Sequence, residues 1–122
     1  MDIKKRWIQN YRETDGNYIY IFGIKNEDIL YVGETASLKA RIQHHLNNNF
    51  KLIDEILDKD YYIKSCYLGA IEGYERAYLE SVLIQRLNPK LNRHCNQKFE
   101  IEDKRKLELI KILENVDWEM IG

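Results

Sequence analysis

NYIYIFGIKNEDILYVGETASLKARIQHH, residues 17–45, holds two short aromatic-rich runs, YIYIF and ILYVG, ahead of a helical pattern. Residues 17–23 and 28–33 are rich in Tyr, Ile, Phe and Val, which predicts two strands. The link Lys25-Asn26-Glu27-Asp28 is short and polar, so the pair is expected to fold back as an antiparallel hairpin. Gly33 is expected to end the second strand at a sharp turn. Ser37 is suited to N-cap a helix running to about Leu46. Its apolar row is Leu38, Ile42 and Leu46; Arg41 and His45, four positions apart, form the neighbouring row.

Outward from this stretch the pattern continues as an α+β domain. Leu52, Ile53, Ile56 and Leu57 recur at helical spacing, predicting a second helix over 50–58 after the asparagines at 47–49. YYIKSCYLG, residues 61–69, reads as a third strand, and EGYERAYLESVLIQRLN, residues 72–88, as the strongest helix, stopped by Pro89. Leu107, Ile110 and Leu113 line a last charged helix at 101–114. The expected fold is a small three-stranded antiparallel sheet flanked by helices. It divides into a lead-in at 1–16 that ends in a Thr-Asp-Gly turn signal, a core domain at 17–93, and a C-terminal helical extension of the same domain at 94–122.

Composition restricts function. With 122 residues, 44% hydrophobic and a mean hydropathy of −0.57, the chain suits one soluble globular domain. No run approaches the roughly 18 apolar residues of a membrane span. The N-terminus lacks the apolar core of a signal peptide, so the expected location is cytoplasmic and Cys66 and Cys95 are expected as free thiols. The net charge of −1 argues against bulk electrostatic attraction to nucleic acid. Any such binding must use a local basic face, for which Lys39, Arg86, Lys90, Arg93, His94 and Lys98 are candidates; the alternative is ordinary surface charge.

Several side chains could carry chemistry. Tyr20 and Tyr31 occupy corresponding points in the two strands with ten residues between them. Tyrosine, arginine and histidine together offer a deprotonatable oxygen, a fixed positive fork and a proton carrier, which suits a phosphodiester. Glu80 borders the apolar stripe of its helix, where a carboxylate needs a partner. That partner is a cation, or simply Arg76 or Arg86.

The order of these residues resembles the GIY-YIG nuclease family. Its first motif is matched by Tyr18-Ile19-Tyr20 and its second by Tyr31-Val32-Gly33, continuing through Thr35 and Leu38 to Arg41, with His45 four residues on. ESVLIQRLNPKLN, residues 80–92, is similar to the family's glutamate helix and closing P-x-x-N. Tyr18 stands where the family has glycine, and Val32 where it has isoleucine. The resemblance implies a divalent-metal-dependent DNA endonuclease using one Mg²⁺ (or Mn²⁺) per active site, with Glu80 as metal ligand. It also implies Tyr20 as general base, with Tyr31 and His45 as rivals for that role, Arg41 as phosphate and transition-state stabiliser, and Asn92 fixing the geometry around Glu80 or the substrate. The expected partner is DNA, with a homodimer or a separate protein supplying specificity. The alternative is a catalytically silent nucleic-acid-binding module of the same fold.

Overall fold

Ten residues of continuous β-strand, Asp15–Ile24 (β1), form the spine of the molecule, whose computed structural model describes residues 15–93 and 97–122. β1 pairs antiparallel with β2 (Ile29–Ser37) on one side and β3 (Tyr61–Tyr67) on the other. Because side chains alternate along a strand, a central strand covered on both faces must be apolar throughout. The run YIYIF meets that requirement. Tyr20, Phe22 and Ile24 pack under α1 (Leu38–Asn48) and α2 (Phe50–Ile56), while Ile19 and Ile21 pack under α3 (Gly73–Leu87) and α4 (Asp103–Asn115). Leu38 and Ile42 of α1 are fully buried, each burial being worth roughly 1.5–3 kcal/mol.

The sheet has four strands, correcting the expectation of three: Glu119–Met120 forms β4, giving the order β2-β1-β3-β4. Two residues carry no readable strand pattern. They are drawn in by their neighbours, since Ile121 is buried and its N–H donates to the Ile63 carbonyl at 2.8 Å. The C-terminal extension is therefore a helix plus an edge strand rather than wholly helical.

Other boundaries moved for local reasons. β2 does not stop at Gly33 but runs on to Ser37. The Thr-Asp-Gly signal leads into no turn at Asp15 and Gly16: both lie in β1, where the pairing register shifts between Asp15 and Tyr18. Ser37 stands at the N-cap position of α1 without capping it, its hydroxyl turning instead to Asp15 Oδ1 at 3.4 Å. α3 ends where Asn88 takes a left-handed conformation, φ 45°, directly before Pro89. Tyr18, half-buried, leans on Tyr67 across the β1–β3 pair with ring centroids 5.3 Å apart, so a large side chain is accommodated there. Cys66 is buried and free, whereas Cys95, His94 and most of the 1–16 lead-in lie outside the described residues.

Candidate active site

Tyr20 and Gly33 are direct partners across the β1–β2 pair, and Tyr31 sits diagonally beside them on the same face. The Tyr20 ring lies flat against Gly33: a Cβ on that residue would stand 2.1 Å from Tyr20 Cζ. Gly33 is thus explained by a close approach, not by a turn. Tyr31 stacks on Tyr20 with centroids 6.2 Å apart. Both rings also meet His45, which α1 presents at 5.5 Å from Tyr20 and 4.9 Å from Tyr31.

The hydrogen bonds determine which atoms hold protons. Tyr20 Oη and His45 Nε2 are 2.7 Å apart. The far nitrogen, Nδ1, lies 3.0 Å from the Asn49 side-chain nitrogen, while Asn49 Oδ1 accepts from the Leu52 N–H at 3.3 Å. With its oxygen turned to α2, Asn49 can only donate to Nδ1. Burial, with Arg41 and His44 adding to it, holds the His45 pKa down to about 4, so the ring is neutral. Its one hydrogen then sits on Nε2 and is donated to Tyr20. Arg41, exposed at its outer side, draws the Tyr20 pKa down, and the neighbouring Tyr20 acts the same way on Tyr31. The His45 N–H and the Arg41 charge therefore both act on one phenol oxygen. Even so, burial, followed by the neighbouring Tyr31, holds the Tyr20 pKa well above its ordinary value, and burial raises that of Tyr31 as well.

Glu80 comes from the opposite layer, on α3, and reaches the site past the outer strand β2. It is half-buried, and burial followed by the charge of Glu34 pushes its pKa up to about 7. The Glu34 backbone N–H, Arg41 and Arg76 act in the other direction. Neither arginine considered as its ion-pair partner serves as one: Arg76 Nε pairs with Glu34, and Arg86 lies 3.8 Å from Glu114. Arg76 is further held by Asn17 Oδ1 at 2.6 Å, and Asn17 by the carbonyls of Gly69 and Ile71. A partly buried carboxylate with no ion pair among the described residues fits a cation-binding role. No cluster of three His, Cys, Asp or Glu side chains occurs among the described residues, so the donor set suits a hard cation that keeps most of its waters.

Asn92 is fixed to the backbone of β2. Its Oδ1 accepts from the Val32 N–H at 2.8 Å and its Nδ2 donates to the Val32 carbonyl at 2.9 Å, so it continues the ladder along the free edge of β2. Of the six residues considered for nucleic acid, all but His94 are described. Lys90 pairs with Glu55 at 2.7 Å and Arg86 faces Glu114; Lys39 is half-buried on α1; Arg93 and Lys98 are exposed. Sequence reasoning missed Glu34 and Asn49. Strand parity places Glu34 on the Val32 face toward α3, and Asn49 lies one helical turn after His45; both signals were available.

The sequence pattern of the GIY-YIG catalytic domain matches residues 16–93. UvrABC system protein C of Dictyoglomus thermophilum is 33% identical over 92 residues, covering 75% of this chain and 14% of that protein. Its counterpart in Mycoplasma mycoides subsp. mycoides SC is 32% identical over 78 residues, 60% of this chain and 12% of that protein. The chain thus spans a small fraction of the length of these curated relatives. A similar fold is found in the GIY-YIG N-terminal endonuclease domain of UvrC from Thermotoga maritima, a point mutant bound to its catalytic divalent cation. That match has a TM-score of 0.55 and 22% identity, and covers 73% of this chain and 96% of that one.

Proposed function

The chain belongs to the family of GIY-YIG catalytic domains, and from that membership we propose that it is a divalent-metal-dependent endonuclease hydrolysing DNA phosphodiester bonds. The observation that supports this best is the 2.7 Å bond between His45 Nε2 and the Tyr20 oxygen, with the Arg41 charge acting on the same phenol. Both favour the phenolate over the phenol, which is what a tyrosine must become to accept a proton from water.

In this reading Tyr20 is the general base. Its own proton passes to the half-buried Tyr31, which releases one to bulk water. The Tyr20 oxygen then takes the proton of the attacking water as the new bond to phosphorus forms and the bond to the 3′ oxygen breaks, the leaving oxygen gaining its proton from bulk water. His45 holds its hydrogen on Nε2 and has its Nδ1 lone pair engaged by Asn49, so it acts as donor to Tyr20 rather than as the base. Arg41 presents its remaining N–H groups to the nonbridging phosphate oxygens. Tyr31 orients water or phosphate. Glu80 would hold the one cation, Mg²⁺ or Mn²⁺; the Thermotoga maritima domain binds a catalytic divalent cation. When bound, that cation supplies Lewis-acid stabilisation of the phosphate and the leaving oxygen. Asn92 serves by fixing β2, which carries Tyr31 and Gly33.

Plasmid cleavage with and without Mg²⁺ or Mn²⁺ tests this proposal, with Tyr20→Phe and Glu80→Ala as controls. Metal-dependent nicking by the wild type, abolished in both variants, is the expected result. One observation favours the rival reading of a catalytically silent binding module: burial holds Tyr20 firmly protonated in the protein alone. Binding without cleavage under every metal condition would establish that rival.

A further inference from the structure

Beside the catalytic cluster lies an open groove of about 460 Å³ that shares Arg41 and His45 with it and continues past His44, Asn48 and Lys51 to Phe50. Its composition is one-sided. No acidic residue lines it, although the chain as a whole carries more acids than bases. Phe50 is 71% exposed, the most exposed of the large hydrophobic residues among those described. It opens α2 directly after Asn49, the residue that orients His45. Nothing in the packing of the two cores requires an aromatic ring there, since α2 anchors itself through Leu52 and Ile56.

A basic, amide-bearing groove with a solvent-facing aromatic is the arrangement that receives a nucleic-acid strand, with cations along the backbone and a ring under a base. Resting on the function proposed above, we infer that this groove holds the DNA strand flanking the scissile phosphate and that Phe50 stacks on an unpaired base of that strand. Lys51 and Arg41 contact its phosphates, and the amide of Asn48 offers hydrogen bonds to sugar or base. A base inside an intact duplex has no free face for Phe50. The preferred substrate is therefore a single strand, or a duplex opened at the cut by a gap or fork.

The test uses the full chain and labelled oligonucleotides in Ca²⁺, by fluorescence anisotropy. Phe50→Ala should weaken single-strand and forked-duplex binding at least about tenfold, as loss of one stacked base does elsewhere. It should leave fully paired duplex binding nearly unchanged. Phe50→Trp should restore affinity and show indole quenching on single-strand binding beyond that of the wild type. With Mg²⁺, Phe50→Ala should raise KM for forked DNA more than it lowers kcat. Wild-type cleavage with unchanged single-strand affinity in Phe50→Ala, or equal losses on paired and unpaired DNA, would overturn the inference while leaving the nuclease reading intact. A wild type that binds no DNA would overturn both.

Discussion

Replacing Gly33 with alanine adds one methyl group and tests the whole geometry of the site. The backbone at Gly33 does not take the positive φ found at Gly16 and Gly69, so alanine suits the strand conformation. The methyl, however, would sit 2.1 Å from Tyr20 Cζ and 2.2 Å from its hydroxyl, where ordinary contacts begin near 3.4 Å. The ring must therefore retreat by about 1.3 Å, the difference between those separations. A bond of 2.7 Å from Tyr20 to His45 does not survive a shift of that size in most directions. Misplacement of a catalytic group by about 1 Å costs about 100-fold in rate, and overpacking costs about 1–3 kcal/mol of stability. Gly33→Ala should accordingly remain folded, melt several degrees lower and cleave about 100-fold more slowly under single-turnover conditions. A folded variant cleaving within a few-fold of wild type would refute the dependence of activity on the seating of Tyr20.

Three further outcomes follow from particular contacts. Because the Glu80 pKa is raised to about 7 in the folded protein, folded molecules bind more protons than unfolded ones between pH 4.5 and 7. Stability from this group is thus fully present below pH 4.5 and is lost as pH rises through 7. Melting curves in EDTA should show wild type losing stability relative to Glu80→Gln across that window; a gain would reverse the assignment. Asn49→Asp keeps the cap on Leu52 but demands a hydrogen on His45 Nδ1, depriving Tyr20 of a donor. Cleavage should fall at least about tenfold, and nitrogen NMR should show the exchanged tautomer; an unchanged tautomer would count against the relay. Asn92→Ala removes both bonds to Val32 and should cost about 1–2 kcal/mol, with faster hydrogen exchange at the Val32 amide. Unaltered exchange there would show that the clamp is idle.

The legible parts of the sequence were those set by periodicity. Period two in YIYIF and period 3.6 through Leu38, Ile42 and Leu46 defined the spine and its cover, while the register that pairs Tyr20 with Gly33 puts Tyr20 and Tyr31 on one face. What escaped was set by long-range contact. Gly33 looks like a strand end because glycine usually is one; only the ring packed against it, thirteen positions away in sequence, reveals its reason. Glu119–Met120 is too short to announce itself and depends on Ile121 being buried. Asn92, expected by resemblance to fix the geometry around Glu80 or the substrate, bonds the Val32 backbone 60 residues earlier, a contact that no local pattern announces. Arg76 and Arg86, the alternatives to a cation as partners of Glu80, are engaged with Glu34 and Glu114.

The division of the site between two layers has a consequence for the chain before it is fully folded. Tyr20, Tyr31, Arg41 and His45 belong to one helical layer and its strands, and Glu80 to the helix packed on the reverse. A nascent or partly unfolded chain can assemble the first group from residues 18–49 by mostly local contacts, while Glu80 arrives only when α3 docks on the completed sheet. On the mechanism proposed above, such a molecule would acquire Arg41 early and the carboxylate last, and loss of α3 docking would remove the carboxylate alone.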